Sequence, residues 1–484
     1  MTSTFFGLNI ALRGLMAQRQ AMDVTAHNIS NAATEGFTRQ EAVMKAAPPF
    51  SVPCISREVQ AGQMGTGVEV DAIRRIRDQF LDYEIREQTS ALGRWETKRD
   101  YLQQIESILN EPSDSGIADA FSKMWAAWYD LSNDPTSYVA RAAVIQTGNV
   151  LADSIRRAAL QLDSMRQGAD HEISTILSDT NSLLTEIDEL NRQIVKVEVS
   201  GDDANDLRDR RDYLLDKLAR TAQVGYQEQS DGSVTVWLGP PRSGTPPPGP
   251  PDLILVEMAT GKLASLSWDS TTGQLSSSLG GDVTTSILNG ELKALLDLRN
   301  GDLNPSAADG IAGRLEELAD SLMREINGIV NPTGTAEDFF VSTVGHPSNA
   351  QGIVVNPAVA ADPMLIPAGA AGEPGDGSIA LQVAQLLDKK VTVGGGEMTL
   401  EAWYQQIISR LGISAAESKA LATNQSLLVT QLTTNRESLS GVSLDEEAAN
   451  MIRFQRAYEA SARMITVMDE MLDKIVNDMG LAGR

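Results

Sequence analysis

The sequence predicts a mainly α protein with a smaller β domain. Its terminal helices are expected to form a coiled-coil inner domain, its middle a long helical rod, and one segment an outer β domain. Three observations carry this. Both ends hold apolar residues spaced by three and four. The stretch from Tyr138 to Val199 contains no proline and only two glycines, Gly148 and Gly168. From Gln223 to about Leu288 the helical period gives way to short β-type runs bounded by turn residues.

The first thirty residues read as one amphipathic helix. Leu8, Leu12, Leu15, Met22, Ala26 and Ile29 form its seam, Arg19 interrupts it, and Phe5 extends it backward. At the α-helical rise the helix is roughly 40 Å long. It runs into Asn28-Ile-Ser-Asn31-Ala-Ala-Thr34-Glu-Gly36-Phe37. Asn and Gly tolerate the left-handed backbone that ends helices, and Thr34 can bond locally to the chain. Phe37 opens a strand-like stretch, Thr38–Met44.

Short helices are expected near Leu92–Asn110 and Gly116–Leu131, before the long run from Tyr138. In that run Leu151, Ile155, Ala158, Leu162, Met165 and Ala169 form one seam segment. Ile176, Leu183, Ile187, Leu190, Ile194 and Val197 form the next. Helices of this length are rods, since globular helices average about 12 residues. Gly201 marks a turn, and Ala204–Arg220 returns as a helix. The charges Asp206, Arg208, Asp209, Arg210, Arg211 and Asp212 read as a solvated helix face. Its local ion pairs are worth about 0.5 kcal/mol each.

Val234–Leu238 and Leu253–Val256 are β runs. Between them Gly239–Pro251 holds seven prolines in thirteen residues, which predicts an extended, solvated loop. Helices resume at Glu291–Leu298 and Ala308–Val330, and a Pro/Gly-rich stretch with strands covers Asn331–Gly377. Ile379–Lys389 and Leu400–Leu439 are helical again. The last helix has the cleaner seam: Met451, Phe454, Tyr458, Ser461, Ile465, Met468, Leu472, Ile475 and Met479. Ser443 or Asp445 caps its start, Glu446 and Glu447 suit its positive first turn, and Gly480 ends it.

Matching seams at both ends predict nested domains. The inner one combines residues 1–45 with 440–484, the rod 46–221 with 290–439, and the β domain spans 222–289. Each terminal helix has a narrow stripe and is marginal without a partner. The methionines of the last one (Met451, Met464, Met468, Met471, Met479) suit a surface that meets successive partners.

Composition removes several function classes. The net charge of −25 repels phosphate backbones and argues against nucleic acid. No apolar run reaches the ~18 residues that span a bilayer, so membrane insertion is not expected. The amino terminus lacks the compact apolar region of a conventional signal peptide. One cysteine, Cys54, forms no intramolecular disulfide, and His27, His171 and His346 are far apart. No cofactor, metal site or catalytic residue is expected. His27 reads as a cap or surface residue. Gly394-Gly-Gly396 and Gly65-x-Gly67 lack the Gly-Lys-Ser/Thr ending of a phosphate loop.

The motif at Asn28, Asn31, Thr34, Gly36 and Phe37, after an amphipathic helix, resembles the axial proteins of the bacterial flagellum. Gly65–Leu81 and Ser440–Asn450 resemble two further elements of that family. Three more elements are similar to the hook-associated protein 1 branch of it: Asn205–Asp212, Gly290–Arg299, and Asp338-Phe339-Phe340 followed by Val354-Val-Asn356-Pro357. Rod and hook proteins are β-rich where this chain has its helical block, 89–221. The interval after Phe340 is shorter than in many members, so an additional outer domain of the family is expected to be missing.

The resemblance implies a non-enzymatic structural protein at the hook–filament junction, secreted through the flagellar type III apparatus. It implies polymerisation with itself as a ring and contacts to the hook protein and the filament-side junction protein. It also implies an export chaperone on the C-terminal helix. Leu8, Leu12, Leu15, Met22 and Ile29 would carry assembly at one end. Met451, Phe454, Tyr458, Ile465, Met468, Leu472 and Ile475 would carry assembly and chaperone binding at the other. The alternatives are another rod or hook protein of the family, a coiled-coil secreted effector or adhesin, and a secreted carboxylate hydrolase. The last requires two carboxylates converging in an apolar pocket.

Overall fold

The computed structural model describes residues 5–49, 65–109, 116–240, 253–334, 336–343, 348–369 and 375–475. Cys54, His346, Met479, Gly480 and most of the proline-rich loop lie outside them. Helix α1 (Phe5–Asn31) leads into an antiparallel hairpin of β1 (Gln40–Ala46) and β2 (Val68–Arg75), with a register shift between Val43 and Met44. The hairpin packs on α1.

Helix α2 (Gln79–Leu109) begins well before the expected Leu92. Asp78 Oδ1 accepts from the amides of Phe80 and Leu81 and caps it. The early turns escaped the apolar pattern because their buried residues include Asp82 and Arg86. Helices α3 (Ile117–Asn133), α4 (Tyr138–Glu198) and α5 (Asn205–Thr221) follow. Ser137 Oγ caps α4 by accepting from Ala140 N. With 61 residues, α4 is roughly 90 Å long.

Strands β3 (Val224–Glu228), β4 (Val234–Leu238), β5 (Ile254–Glu257) and β6 (Lys262–Leu263) form an antiparallel sheet in sequential order. β7 (Leu266–Asp269) and β8 (Gln274–Ser277) form a separate hairpin. Then come α6 (Glu291–Asp297), α7 (Ile311–Val330), β9 (Phe340–Ser342), α8 (Asn349–Gly352), β10 (Ile353–Val355), α9 (Pro357–Ala361) and α10 (Ser378–Ala384). The hairpin of β11 (Val391–Val393) and β12 (Gly396–Met398) precedes α11 (Leu400–Ser440) and α12 (Leu444–Asp473). Ser443 Oγ accepts from Glu446 N and caps α12.

Two apolar cores lie one after the other along α4. Val144 to Leu162 belong to a core with Trp128, Leu318, Phe339, Phe340 and Tyr404. Ala169 to Leu190 belong to a second with Leu215, Val236, Leu255 and Leu295. The β segment therefore flanks the rod and does not stand beyond it. All five β4 residues are buried, so the sheet needs a cover, and α4 supplies part of it. Two α4 asparagines fix the strands there. Asn181 donates to Leu266 O and accepts from Leu266 N, at 2.9 and 2.8 Å. Asn191 does the same for Val234, at 2.9 and 3.0 Å.

Candidate functional site

Helices α1 and α12 are each other's partners and run antiparallel. A Cβ on Gly7 would meet the Met468 side chain, and one on Gly14 would lie 3.2 Å from Ser461 Oγ. Asn28 reaches Glu447. Seven residues forward along α1 match seven backward along α12, from Gly7 and Met468 to Gly14 and Ser461; fourteen more reach Asn28 and Glu447. This is heptad register.

The face of α1 that lies deepest is Ala11, Ala17, Ala21, Val24, Thr25 and Asn28. The sequence-based seam is displaced from it by one residue. Leu8, Leu15, Met22 and Ile29 are half-buried, while Leu12 is 39 % exposed and Ala26 is exposed. The physical reason is double packing. α12 lies on one side of α1 and the β hairpin on another, so small residues let both approach. On α12, Met451, Phe454, Tyr458, Ser461, Ile465, Met468 and Leu472 are half-buried, and Ile475 is exposed. Phe5, Leu12 and Met16 on α1, with Ile452, Met464, Val467 and Met471 on α12, remain exposed.

The motif after α1 closes the base of this pair. Asn28 accepts from Gln40 N at 3.0 Å and donates to Gln40 O at 2.9 Å, acting as a substitute strand for β1. Asn31 Nδ2 donates to His27 O, and Thr34 Oγ1 donates to Asn31 Oδ1. Gly36 takes φ +78, and a Cβ there would fall 2.8 Å from Tyr213 Cβ. Phe37 stands edge-on to His27, with ring centroids 5.3 Å apart. His27 also contacts Asp206 at 3.2 Å.

The solvated face expected at Asp206–Asp212 is instead largely a buried charge cluster. Asp206, Asp209, Asp212 and Asp216 recur at helical spacing along α5. Arg75 Nη1 lies 2.8 Å from both Asp209 Oδ1 and Asp212 Oδ2, and Arg77 Nη1 is 3.0 Å from Asp212. Arg86 of α2 and Arg436 of α11 bind Asp216 at 2.6 and 2.8 Å. Thr38 N donates to Asp209 Oδ2 at 2.9 Å. Asp206, exposed beside His27, and Arg210, pairing with Glu186 at the surface, follow the expected pattern. Arg211 is 1 % exposed and donates to Asn191 Oδ1 and Gly232 O.

Burial raises the pKa of each carboxyl, and the neighbours decide the sign. At Asp212 the charges of Arg77, Arg86 and Arg75 prevail and hold it far below the usual carboxylate range. Asp216 is lowered despite burial by Arg86 and Arg436. At Asp209 burial wins over Arg75, and the pKa rises. The adjoining cleft, about 780 Å³, includes Asp82, Asp212 and Glu228 in its walls. These three are each paired with an arginine, and Glu84, Glu87 and Asp203 also line the cleft. Among the described residues no group of three or more His, Cys, Asp or Glu is placed to hold a metal, and no helix is long and apolar enough to cross a membrane.

The small-residue seam, the α5 aspartates and Glu447 were missed as functional residues. A signal existed for the first two. Gly7, Gly14, Ala21 and Asn28 repeat every seven residues, and the aspartates repeat every three or four.

Terminal helices paired in heptad register, joined at a polar elbow to a long helical rod, are the architecture of a flagellar axial protein. The family comparisons agree at both ends and in the middle. Residues 8–38 match the family described as flagella basal body rod protein, and residues 436–479 the flagellar basal body rod FlgEFG protein C-terminal family. Residues 102–336 match the flagellar hook-associated protein FlgK helical domain. Flagellar hook-associated protein 1 of Bacillus subtilis is 34 % identical over all of both chains. The Salmonella typhimurium and Escherichia coli proteins of that name are 23 % and 22 % identical, over 97 % of this chain and 99 % of theirs. The structure of the flagellar hook junction protein FlgK from Burkholderia pseudomallei, 16 % identical, shares the fold with a TM-score of 0.59, covering 75 % of this chain and 100 % of its own. The chain belongs to the flagellar hook-associated protein 1 family and is a structural axial component of the flagellum.

Proposed function

We propose that this chain is the subunit of a ring at the hook–filament junction, joining the hook protein to the filament-side junction protein, outside the cell and without enzymatic activity. The observation that carries this reading is the apolar stripe left uncovered by the α1–α12 pair. Phe5, Leu12, Met16, Ile452, Met464, Val467, Met471 and Ile475 are all exposed in the single chain. On α12 Met464, Val467, Met471 and Ile475 step by three and four along one face, and an exposed apolar stripe of this kind marks an interaction surface. Neighbouring copies cover it in a head-to-tail ring, which a heterologous interface generates when its rotation closes.

In this reading the paired termini form a coiled-coil inner domain, 1–45 with 440–484, and the rod and β domain face outward. One boundary changes: β2 pairs with β1 and packs on α1, so it goes with the termini. Before assembly, an export chaperone covers the Met-rich face of α12. The half-buried seam holds the pair together, and the exposed stripe holds neighbours.

The test is Met464→Lys with Met471→Lys. Both side chains point outward, so the monomer keeps its melting temperature. Electron microscopy of cells carrying the variant should show hooks without filaments. Filaments of normal length and number would overturn the reading.

A further inference from the structure

Helix α11 carries apolar residues on two sides. Inward, Leu411, Ala415, Ser418 and Ala422 are buried, and the helix packs on α2. Further along, Gln425 Nε2 donates to Gln88 O at 3.1 Å, and Arg436 binds Asp216 at 2.8 Å. Outward, Ile413, Leu427 and Leu428 are 69 %, 66 % and 41 % exposed. One neighbour satisfies a helix that is apolar on one side, whereas a helix apolar on both sides calls for a second cover.

The outward side has the order of a seam. Ala420, Asn424, Leu427, Gln431, Thr434 and Ser438 step alternately by four and three, and all six are exposed. That period suits a helix laid alongside. From Ala420 to Asn435 the chain holds no charged residue, although its net charge is −25. Copies of a chain this acidic repel one another, so lateral packing between them costs least where a face carries no charge. The cores of protein interfaces are depleted of charge in the same way. Exposed leucines continue along the chain toward the α12 stripe: Leu439 and Leu444, 53 % and 56 % exposed, flank the turn between the two helices, and Ile452 follows.

We infer that the outward face of α11, from Ile413 to Ser438, is a second contact between copies of this chain, laid against the rod of the neighbouring subunit. The inference rests on the ring reading above and extends it, because that reading used the terminal helices alone. The occupant is a copy and not an unlike partner. Charged groups are what select an unlike partner and reject others, and this face lacks them. The uncharged hydroxyls and amides of Asn424, Gln431, Thr434 and Ser438 leave like-charged copies free to approach. The inner side of α11 rests on α2 and α5, so the face is built by the rod and needs nothing from α1 or α12 to take shape.

The experiment puts a photoreactive benzophenone amino acid in place of Leu427 in the full chain, and in a second version in place of Met464 on α12. Flagellated cells carrying either version are irradiated, and cross-linked chains are identified by immunoblot and mass spectrometry. The probe at Leu427 should join two copies of this chain. If the probe there stops assembly, Thr430, exposed at the rim of the same face, carries it instead. Asn424→Glu with Gln431→Glu adds charge to the seam without removing an apolar side chain, and should abolish the Leu427 dimer. A dimer from Met464 with none from the α11 face, or a cross-link from that face to a different protein, would overturn the inference and leave the ring reading standing. Dimers from neither position would overturn both. An undiminished dimer in the double glutamate variant would also count against a face that works by being uncharged.

Discussion

Asn28 and Glu447, 419 residues apart in the sequence, meet where Asn28 Nδ2 donates to Glu447 Oε2 at 3.2 Å. The Glu447 side chain is 2 % exposed and also takes Arg39 Nε at 2.8 Å. One carboxylate thus ties the end of α1, the start of β1 and the first turn of α12.

Glu447→Ala leaves Arg39 Nε and one Asn28 proton without their acceptor, while Arg39 Nη1 keeps Glu446 at 2.8 Å. The expected cost is about 2–3 kcal/mol, discounted for the partial exposure of Arg39. Hydrogen exchange should show faster exchange in α1 and α12 and unchanged protection in α4. Uniform loss across the chain would contradict a local role.

Gly14→Leu should separate α1 from α12, whereas Leu12→Ser should not. A side chain at Gly14 enters the gap where Ser461 Oγ is already 3.2 Å from a virtual Cβ, while Leu12 faces solvent. Protection of α1 amides distinguishes the two substitutions. The opposite order would restore the seam expected from the leucine spacing.

Gly36→Ala combines a left-handed φ with a clash against Tyr213 Cβ. A loss of about 1–3 kcal/mol is expected. It should act at the elbow, weakening the Tyr213–Glu35 bond, and be visible as a lowered first transition in thermal unfolding.

Acid should weaken the elbow through Asp212 and Asp216. Their folded pKa values lie below the ordinary 3.8, so their stabilisation is full above that value. It is lost as pH falls from there toward the depressed values. Asp209 runs the other way: its raised pKa favours the folded state at low pH and partly offsets the loss. Asp212→Asn should flatten the decline in stability below pH 3.8, measured by urea unfolding across pH.

Phe339→Ala should destabilise the rod without touching the terminal pair. Phe339 is fully buried, edge-on to Trp128 at 5.2 Å and to Phe340 at 4.8 Å. A cost of about 3–5 kcal/mol is expected for the cavity. Calorimetry should show a lower transition for the rod core, with α1 amides unchanged.

The helices were legible in the sequence where local period and burial coincide. The proline-free run became α4, from Tyr138 to Glu198, and the seam Met451 to Leu472 is the half-buried face of α12. The motif from Asn28 to Phe37 pointed to the family only together with five further elements in the same order along the chain. What tertiary structure decided were the places where burial is not apolar or not one-sided. Helix α1 is packed on two faces, so its deepest residues are three alanines with Val24, Thr25 and Asn28, displaced from the leucine seam. The early turns of α2 and the aspartates of α5 are buried by one another's charges, which a hydrophobic period cannot register. The β segment lies along α4 because the fully buried β4 needs cover, and two asparagines far away in sequence hold its strands there. A sequence states what each residue prefers next to its neighbours in the chain. Which partner meets a buried charge depends on what the fold brings beside it.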